Sequence, residues 1–149
     1  MYLLDTNVLS DLNPDRRGSN KNLVDWLRRN GDRCSLSAVT LTEIAYGVAW
    51  LRARRATARA ARLGAWLEQI IQFHAARILP VDNAVALQAG VLMATARASG
   101  VEPDISDALI AATAIVHGLE VLTFNMVDFR PMGIACRDPL ATTPGDAPD

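Results

Sequence analysis

Residues 1–10, MYLLDTNVLS, run an apolar segment directly into Asp5, Thr6 and Asn7 before apolar residues resume at Val8 and Leu9. Tyr2, Leu3 and Leu4 are apolar at consecutive rather than alternating positions, the pattern of a central strand in a parallel sheet covered by helices on both faces. Asp5 then stands at the carboxyl end of that strand. In open α/β sheets ligands bind at this edge, because the loops leaving the strands line a crevice there. A single aspartate at such a place also has a plain structural explanation, since Asp and Asn commonly begin helices. The functional reading needs further acids delivered to the same edge.

At 149 residues, half of them hydrophobic, the chain fits one domain with a real core. The net charge of −1 conceals an asymmetry: a single Lys accompanies the arginines, and Arg52, Arg54, Arg55, Arg59 and Arg62 lie close together. Net charge therefore neither announces nor excludes a nucleic-acid partner, because a local basic patch is enough to hold phosphates. Cys34 and Cys136 match no metal spacing and are expected as free thiols in a reducing cytoplasm. No stretch has the length and hydrophobicity of a membrane span, and no basic region precedes an apolar one at the N-terminus. A soluble cytoplasmic protein is expected.

Asn7 to Leu12 reads as a short helix stopped by Pro14, followed by a polar loop, Asp15 to Asn20, as a flexible rim. Leu23, Trp26 and Leu27 repeat at helical spacing up to Asn30 and Gly31, and Cys34 to Leu36 suit a short strand. Thr40 and Glu43 then fit the capping-box pattern, in which a hydroxyl and a carboxylate reciprocally satisfy amides at a helix start. Alternatively Glu43, in the first turn of a helix leaving the sheet, faces the crevice beside Asp5. Spacing by itself favours the cap.

Ala53 to Arg62 alternate Ala and Arg, while Leu63, Trp66, Leu67, Ile70 and Ile71 form an apolar stripe, so two helices meet near the arginines as a hairpin. Those arginines form either a solvated helix surface or a rim that contacts phosphates. Arg77 to Val81 suits a strand, Asp82 caps the next helix, and Val85, Ala89, Leu92 and Met93 form its buried face before Ser99 and Gly100. His74 and His117 are too scattered to make a zinc site or a catalytic triad.

The stretch PDISDALIAATAIVHGLEVLTFNMVDF, residues 103–129, carries the remaining chemistry. Asp107 opens an Ala- and Ile-rich helix closing at Gly118, and Glu120 to Thr123 follow as a strand parallel to the first, returned by the helical crossover. Its carboxyl end delivers Asn125 and Asp128 to the edge that Asp5 occupies. An acid at a helix N-terminus explains Asp107 alone. Three or four acids gathered at one sheet edge repel one another and call for a cation. Oxygen ligands in a partly open site suit Mg²⁺ or Mn²⁺, and such an ion supports phosphodiester hydrolysis.

LLDTNVLS, LTEIAYGV and DALIAATAIVHGLEVLTFNMVDF, in this order, resemble the PIN-domain ribonucleases, specifically the VapC toxins of type II toxin–antitoxin systems. The resemblance runs from Tyr2 to about Pro139. It implies a PIN-like three-layer α/β sandwich over 1–139, with a central parallel sheet of about four to five strands, and a flexible tail over 140–149. It also implies a Mg²⁺-dependent endoribonuclease, a cognate antitoxin and a homodimer. Asp5 and Asp107 correspond to the acids that hold the metal, Glu43 to the acid between them, and either Asn125 or Asp128 completes the site. Where the family commonly has Thr-Arg-Asn, this chain has Thr123, Phe124 and Asn125, so an aromatic ring replaces a basic contact to RNA.

Two other functions fit the same acids. One is a catalytically silent RNA- or protein-binding module, for which Phe124 speaks. The other is a small-molecule phosphohydrolase with Asp5 as nucleophile, against which Asn7 stands where such enzymes carry a second Asp. Trp50, Leu51 and Trp66, near the arginine-rich hairpin, are candidates for an apolar groove that accepts a partner helix.

Overall fold

The computed structural model describes residues 1–16, 18 and 20–141, so the expected tail lies, from residue 142 on, outside the described residues. Five strands, β1 (Tyr2–Leu4), β2 (Cys34–Ser37), β3 (Ile78–Leu79), β4 (Glu120–Leu122) and β5 (Cys136–Arg137), form one sheet in the order β3-β2-β1-β4-β5. Every pairing is parallel. The consecutive apolar run of β1 has the cause expected of it. Successive side chains of a strand point to opposite faces, and here Leu3 enters one core cluster while Leu4 enters the other. Val121 and Leu122 of β4 divide in the same way. All four are essentially inaccessible to solvent, and each contributes about 1.5–3 kcal/mol through burial.

One cluster lies under α5 (Asn83–Ala98) and α6 (Ile105–Val116), where Ala89, Ala96, Ala108, Ala111 and Ala112 allow a close approach of the two helices. The other lies under α1 (Thr6–Ser10), α2 (Lys21–Asn30), α3 (Ala38–Ala53) and α4 (Thr57–His74). The last helix, α7 (Met126–Phe129), follows β4. The expected three-layer parallel α/β architecture is therefore present, with five strands.

The α3–α4 hairpin turns at the start of the Ala/Arg alternation, most of which continues with the apolar stripe in one helix, α4. The chain reverses at Arg55, which adopts a left-handed φ of 60°. Both cysteines are free, and burial pushes the Cys34 thiol up to about 11 while its Sγ–H donates to the Asn30 carbonyl at 3.3 Å. Leu140 packs against the α1–α4 cluster.

Candidate active site

The strand order reverses direction between β1 and β4: the chain builds outward from β1 through β2 and β3, then crosses to β4 and β5 on the other side. Parallel sheets open a crevice at such a switch point, outside the carboxyl ends of the strands. Here a cavity of about 430 Å³ occupies that position, lined by Asp5, Glu43, Asp107, Asn125 and Asp128 together with Thr6, Asn7, Ser10 and Arg16. All five residues singled out in the sequence thus meet in one place.

Asp5 is 4% exposed. Its backbone N–H is tied to the Leu122 carbonyl of β4 at 2.9 Å, which fixes the carboxylate over the gap between the two strands. It also caps α1, its Oδ1 accepting from the Thr6 N–H at 2.6 Å. The capping and functional readings of this residue are compatible, since one oxygen serves the helix and the other faces the Thr123 hydroxyl, which donates to Oδ2 at 2.7 Å.

That hydroxyl is the centre of a saturated network. Thr123, fully buried, accepts from the Asn7 amide at 3.0 Å and from the Asn125 N–H at 2.9 Å. With both of its lone pairs taken by N–H groups, its single proton is directed to Asp5. Asn7 closes the circuit through its Oδ1, which accepts from the Phe124 N–H at 3.1 Å. Burial raises the Asp5 pKa, the bonds from Thr123 and Thr6 oppose that rise, and Glu43 and Asp128 add to it.

Glu43 is not part of a capping box. The helix begins three residues before that motif requires, at Ala38, and Ser37 caps it by accepting from the Val39 N–H at 3.2 Å. β2 therefore passes into α3 with no loop between them. Thr40 turns into the interior, where its hydroxyl is buried without a hydrogen-bond partner among the described residues. Glu43 lies in the second turn rather than the first, and its carboxylate accepts from the Thr6 hydroxyl. Thr6 thus holds two acids, Asp5 through its N–H and Glu43 through its O–H.

Asp107 is the third residue of α6, whose cap is Asp104, accepting from the Ser106 N–H at 2.7 Å. Burial first, then the charges of Asp5, Asp128, Asp104 and Glu43, push the Asp107 pKa up to about 6. Asp128 accepts from the Asn125 amide. Among the described residues, no three His, Cys, Asp or Glu side chains are already gathered at metal-holding distance. The crevice nevertheless presents carboxylate, amide and hydroxyl groups without a single sulfur or imidazole, a donor set suited to a hard cation such as Mg²⁺ or Mn²⁺.

Two features escaped the sequence reading. Arg16 brings a cation to the crevice wall, held by the buried Asp11 carboxylate at 3.0 Å. Asp15 beside it is clasped by Arg62 at 2.6 Å and Arg59 at 3.5 Å, so two of the clustered arginines anchor the rim loop. These ion pairs hold the Asp15 carboxyl below its ordinary pKa. Asp15→Ala should release the loop without unfolding the domain, because exposed ion pairs contribute little to global stability. Trypsin should then cut after Arg16 several-fold faster, with the thermal midpoint unchanged; equal cutting of variant and parent would contradict the anchoring role.

A parallel sheet with an acid-lined crevice at its switch point defines an α/β domain built around a cluster of carboxylates. A dinucleotide-binding domain would instead carry a glycine-rich turn after β1, where this chain has Asp5, Thr6 and Asn7. The chain belongs to the PIN domain family, whose match spans residues 2–130. It is 36% identical to Toxin FitB of Neisseria gonorrhoeae, over 93% of this chain and 98% of that protein. It is 33% identical to the VapC ribonuclease Y4jK of Sinorhizobium fredii, over 93% and 97% of the two. Among solved structures, the FitAcB complex from Neisseria gonorrhoeae superposes with a TM-score of 0.83 at 36% identity, covering 95% of this chain and all of that one. The resemblance drawn from the three sequence motifs is borne out.

Proposed function

We propose that this domain is a divalent-cation-dependent endoribonuclease, with Asp5, Asp107 and Glu43 holding Mg²⁺, or Mn²⁺ in its place. That it is a toxin ribonuclease of a type II toxin–antitoxin system rests on the family match and on its likeness to the FitB and VapC toxins. The observation that carries the metal-dependent mechanism is the convergence of Asp5, Glu43, Asp107 and Asp128 on one crevice, with Asp107 raised to about 6 by burial and by its acidic neighbours.

A bound cation would supply the charge that offsets this repulsion, acidifies water and stabilises negative charge on the phosphate. The protein's own part is positioning. Thr123 and Thr6 fix Asp5 by two donated bonds, so its remaining lone pairs face the crevice in one orientation. Thr6 holds Glu43 on the facing wall. Asn125 donates to Asp128 and so orients it; in this reading Asp128 takes a proton from the attacking water. Arg16 is placed to meet a phosphate.

The partner is an antitoxin, a reading that rests on the likeness to the FitB and VapC toxins. An apolar groove of about 490 Å³, lined by Leu9, Leu12, Val24, Leu27, Trp66 and Phe73, suits an amphipathic segment of it. Of the partner-surface candidates drawn from the sequence, Trp66 borders this groove and Leu51 packs partly into the core. Trp50 is exposed, stacked on Tyr46 at 6.5 Å with the Arg54 guanidinium 5.9 Å from its ring centre. Leu87 and Val91, one turn apart and exposed on α5, support a homodimer. No helix among the described residues is long and apolar enough to cross a membrane, in keeping with the proposed cytoplasmic location.

The test is cleavage of a mixed RNA pool by the purified protein in Mg²⁺ or Mn²⁺, with and without chelator, from pH 5 to pH 8. Cuts should vanish with chelator. A proton on Asp107 removes one of the charges that hold the cation, so at subsaturating metal the rate should fall as pH drops through about 6, by roughly tenfold per unit, and level off above pH 7. Cleavage that survives chelation would refute the metal-dependent mechanism.

A further inference from the structure

We infer that the ring of Phe124 is the platform on which an unpaired RNA base stacks beside the phosphate being cut; this rests on the ribonuclease reading above. Phe124 is 38% exposed, between Thr123 and Asn125 in the segment that leaves β4 for the crevice. Its main chain is held by the network that orients the first acid. The Phe124 N–H donates to Asn7 Oδ1 at 3.1 Å, the Asn7 amide donates to the Thr123 hydroxyl at 3.0 Å, and that hydroxyl donates to Asp5 at 2.7 Å. The Phe124 backbone is therefore placed relative to Asp5 by three hydrogen bonds, on a segment whose neighbours on either side are bonded into the site.

The side chains lining the crevice itself are all polar or charged. Folding leaves Phe124, next in the chain to the crevice residue Asn125, partly in water, and Val127 is exposed as well. Four carboxylates line the crevice, and among the described residues Arg16, paired with Asp11, is the cation that lines it with them. Base–aromatic stacking adds affinity that depends neither on a bound cation nor on Arg16. It also selects by strandedness, since a base inside an A-form duplex already has both faces stacked, whereas a base in a loop or single strand presents a free face.

The experiment compares the full chain with Phe124→Leu, which keeps apolar bulk but no π-face, and Phe124→Trp, which keeps the face. Each is assayed at steady state in Mg²⁺ on an RNA oligonucleotide cut by the parent, single-stranded and closed into a duplex. For the single strand, Phe124→Leu should raise KM by about 5- to 100-fold, the loss expected from removing one base–aromatic stack, with kcat within about threefold. Phe124→Trp should restore the parent KM, and the duplex should be cut poorly and equally by all three. A 2-aminopurine next to the cut should be quenched on binding to Asp107→Asn but not to Asp107→Asn/Phe124→Leu. An unchanged KM and unchanged quenching in the Leu variant would overturn the inference while leaving the ribonuclease standing, as for a ring that serves a protein partner instead. A parent protein that cuts no RNA would remove the ribonuclease reading, and this inference with it.

Discussion

Asp107→Asn should abolish RNA cleavage, by more than about 10³-fold, and in the same protein raise the stability of the metal-free domain. The two effects have one origin. Burial of Asp107, and after it the charges of Asp5, Asp128, Asp104 and Glu43, push its pKa from 3.8 to about 6. A carboxyl whose pKa is higher folded than unfolded binds more protons in the native state between those two values, so native stability falls as pH rises through that window. The full shift would correspond to about 3 kcal/mol; screening of a half-exposed group reduces it to about 1 kcal/mol. Attraction of Asp107 to the N-terminus of α6 opposes the gain and, near a solvent-exposed helix end, is the smaller term at about 0.5 kcal/mol. In chelator at pH 7 the thermal midpoint of Asp107→Asn should exceed the parent's by about 1–2 °C, and below pH 4, where the native carboxyl is neutral, the two should coincide. A variant less stable at pH 7 would show that Asp107 supports the fold rather than straining it.

Thr123→Val is expected to cost both activity and stability. Valine matches threonine in shape but leaves Asp5 without a donor at Oδ2, and the Asn7 amide and Asn125 N–H without an acceptor. Losing a donor to a buried carboxylate while stranding two N–H groups is worth about 2–4 kcal/mol, with water reaching the more open Asn125 side. Cleavage should fall about 10- to 100-fold, the usual effect of removing a group that orients a metal ligand. Thr123→Ser keeps the hydroxyl and should restore most of the activity. A valine variant as active as the parent would mean that Asp5 needs no orientation from β4.

The relation between sequence and site was uneven for physical reasons. Asp5 and the Asn125–Asp128 pair were legible because parallel strands with helical crossovers bring their carboxyl ends to one edge whatever the details of packing. Glu43 was harder. Thr40 and Glu43 have capping-box spacing by coincidence, and the true cap, Ser37, is also the last residue of β2. A strand that becomes a helix without a loop gives no composition signal at the boundary. Asp104 and Asp107 are both able to begin a helix, and only the backbone separates the cap from the residue facing the crevice. Thr123 looks like any β-branched residue ending a strand; its role depends on Asn7, which is 116 positions away. Arg16 is oriented by Asp11, and its loop by arginines of α4, contacts that periodicity cannot express.

The same separation governs when the activity can exist. Asp5 leaves the ribosome well before the hydroxyl that orients it, which lies 118 residues later, just past a strand paired directly with β1. At about 5–20 residues per second, synthesis takes roughly 6–24 s to span that interval, and until then β1 has no neighbour on that side. A nascent chain therefore carries its acids without a working crevice. A cell making this nuclease thus has an interval in which the growing polypeptide is harmless.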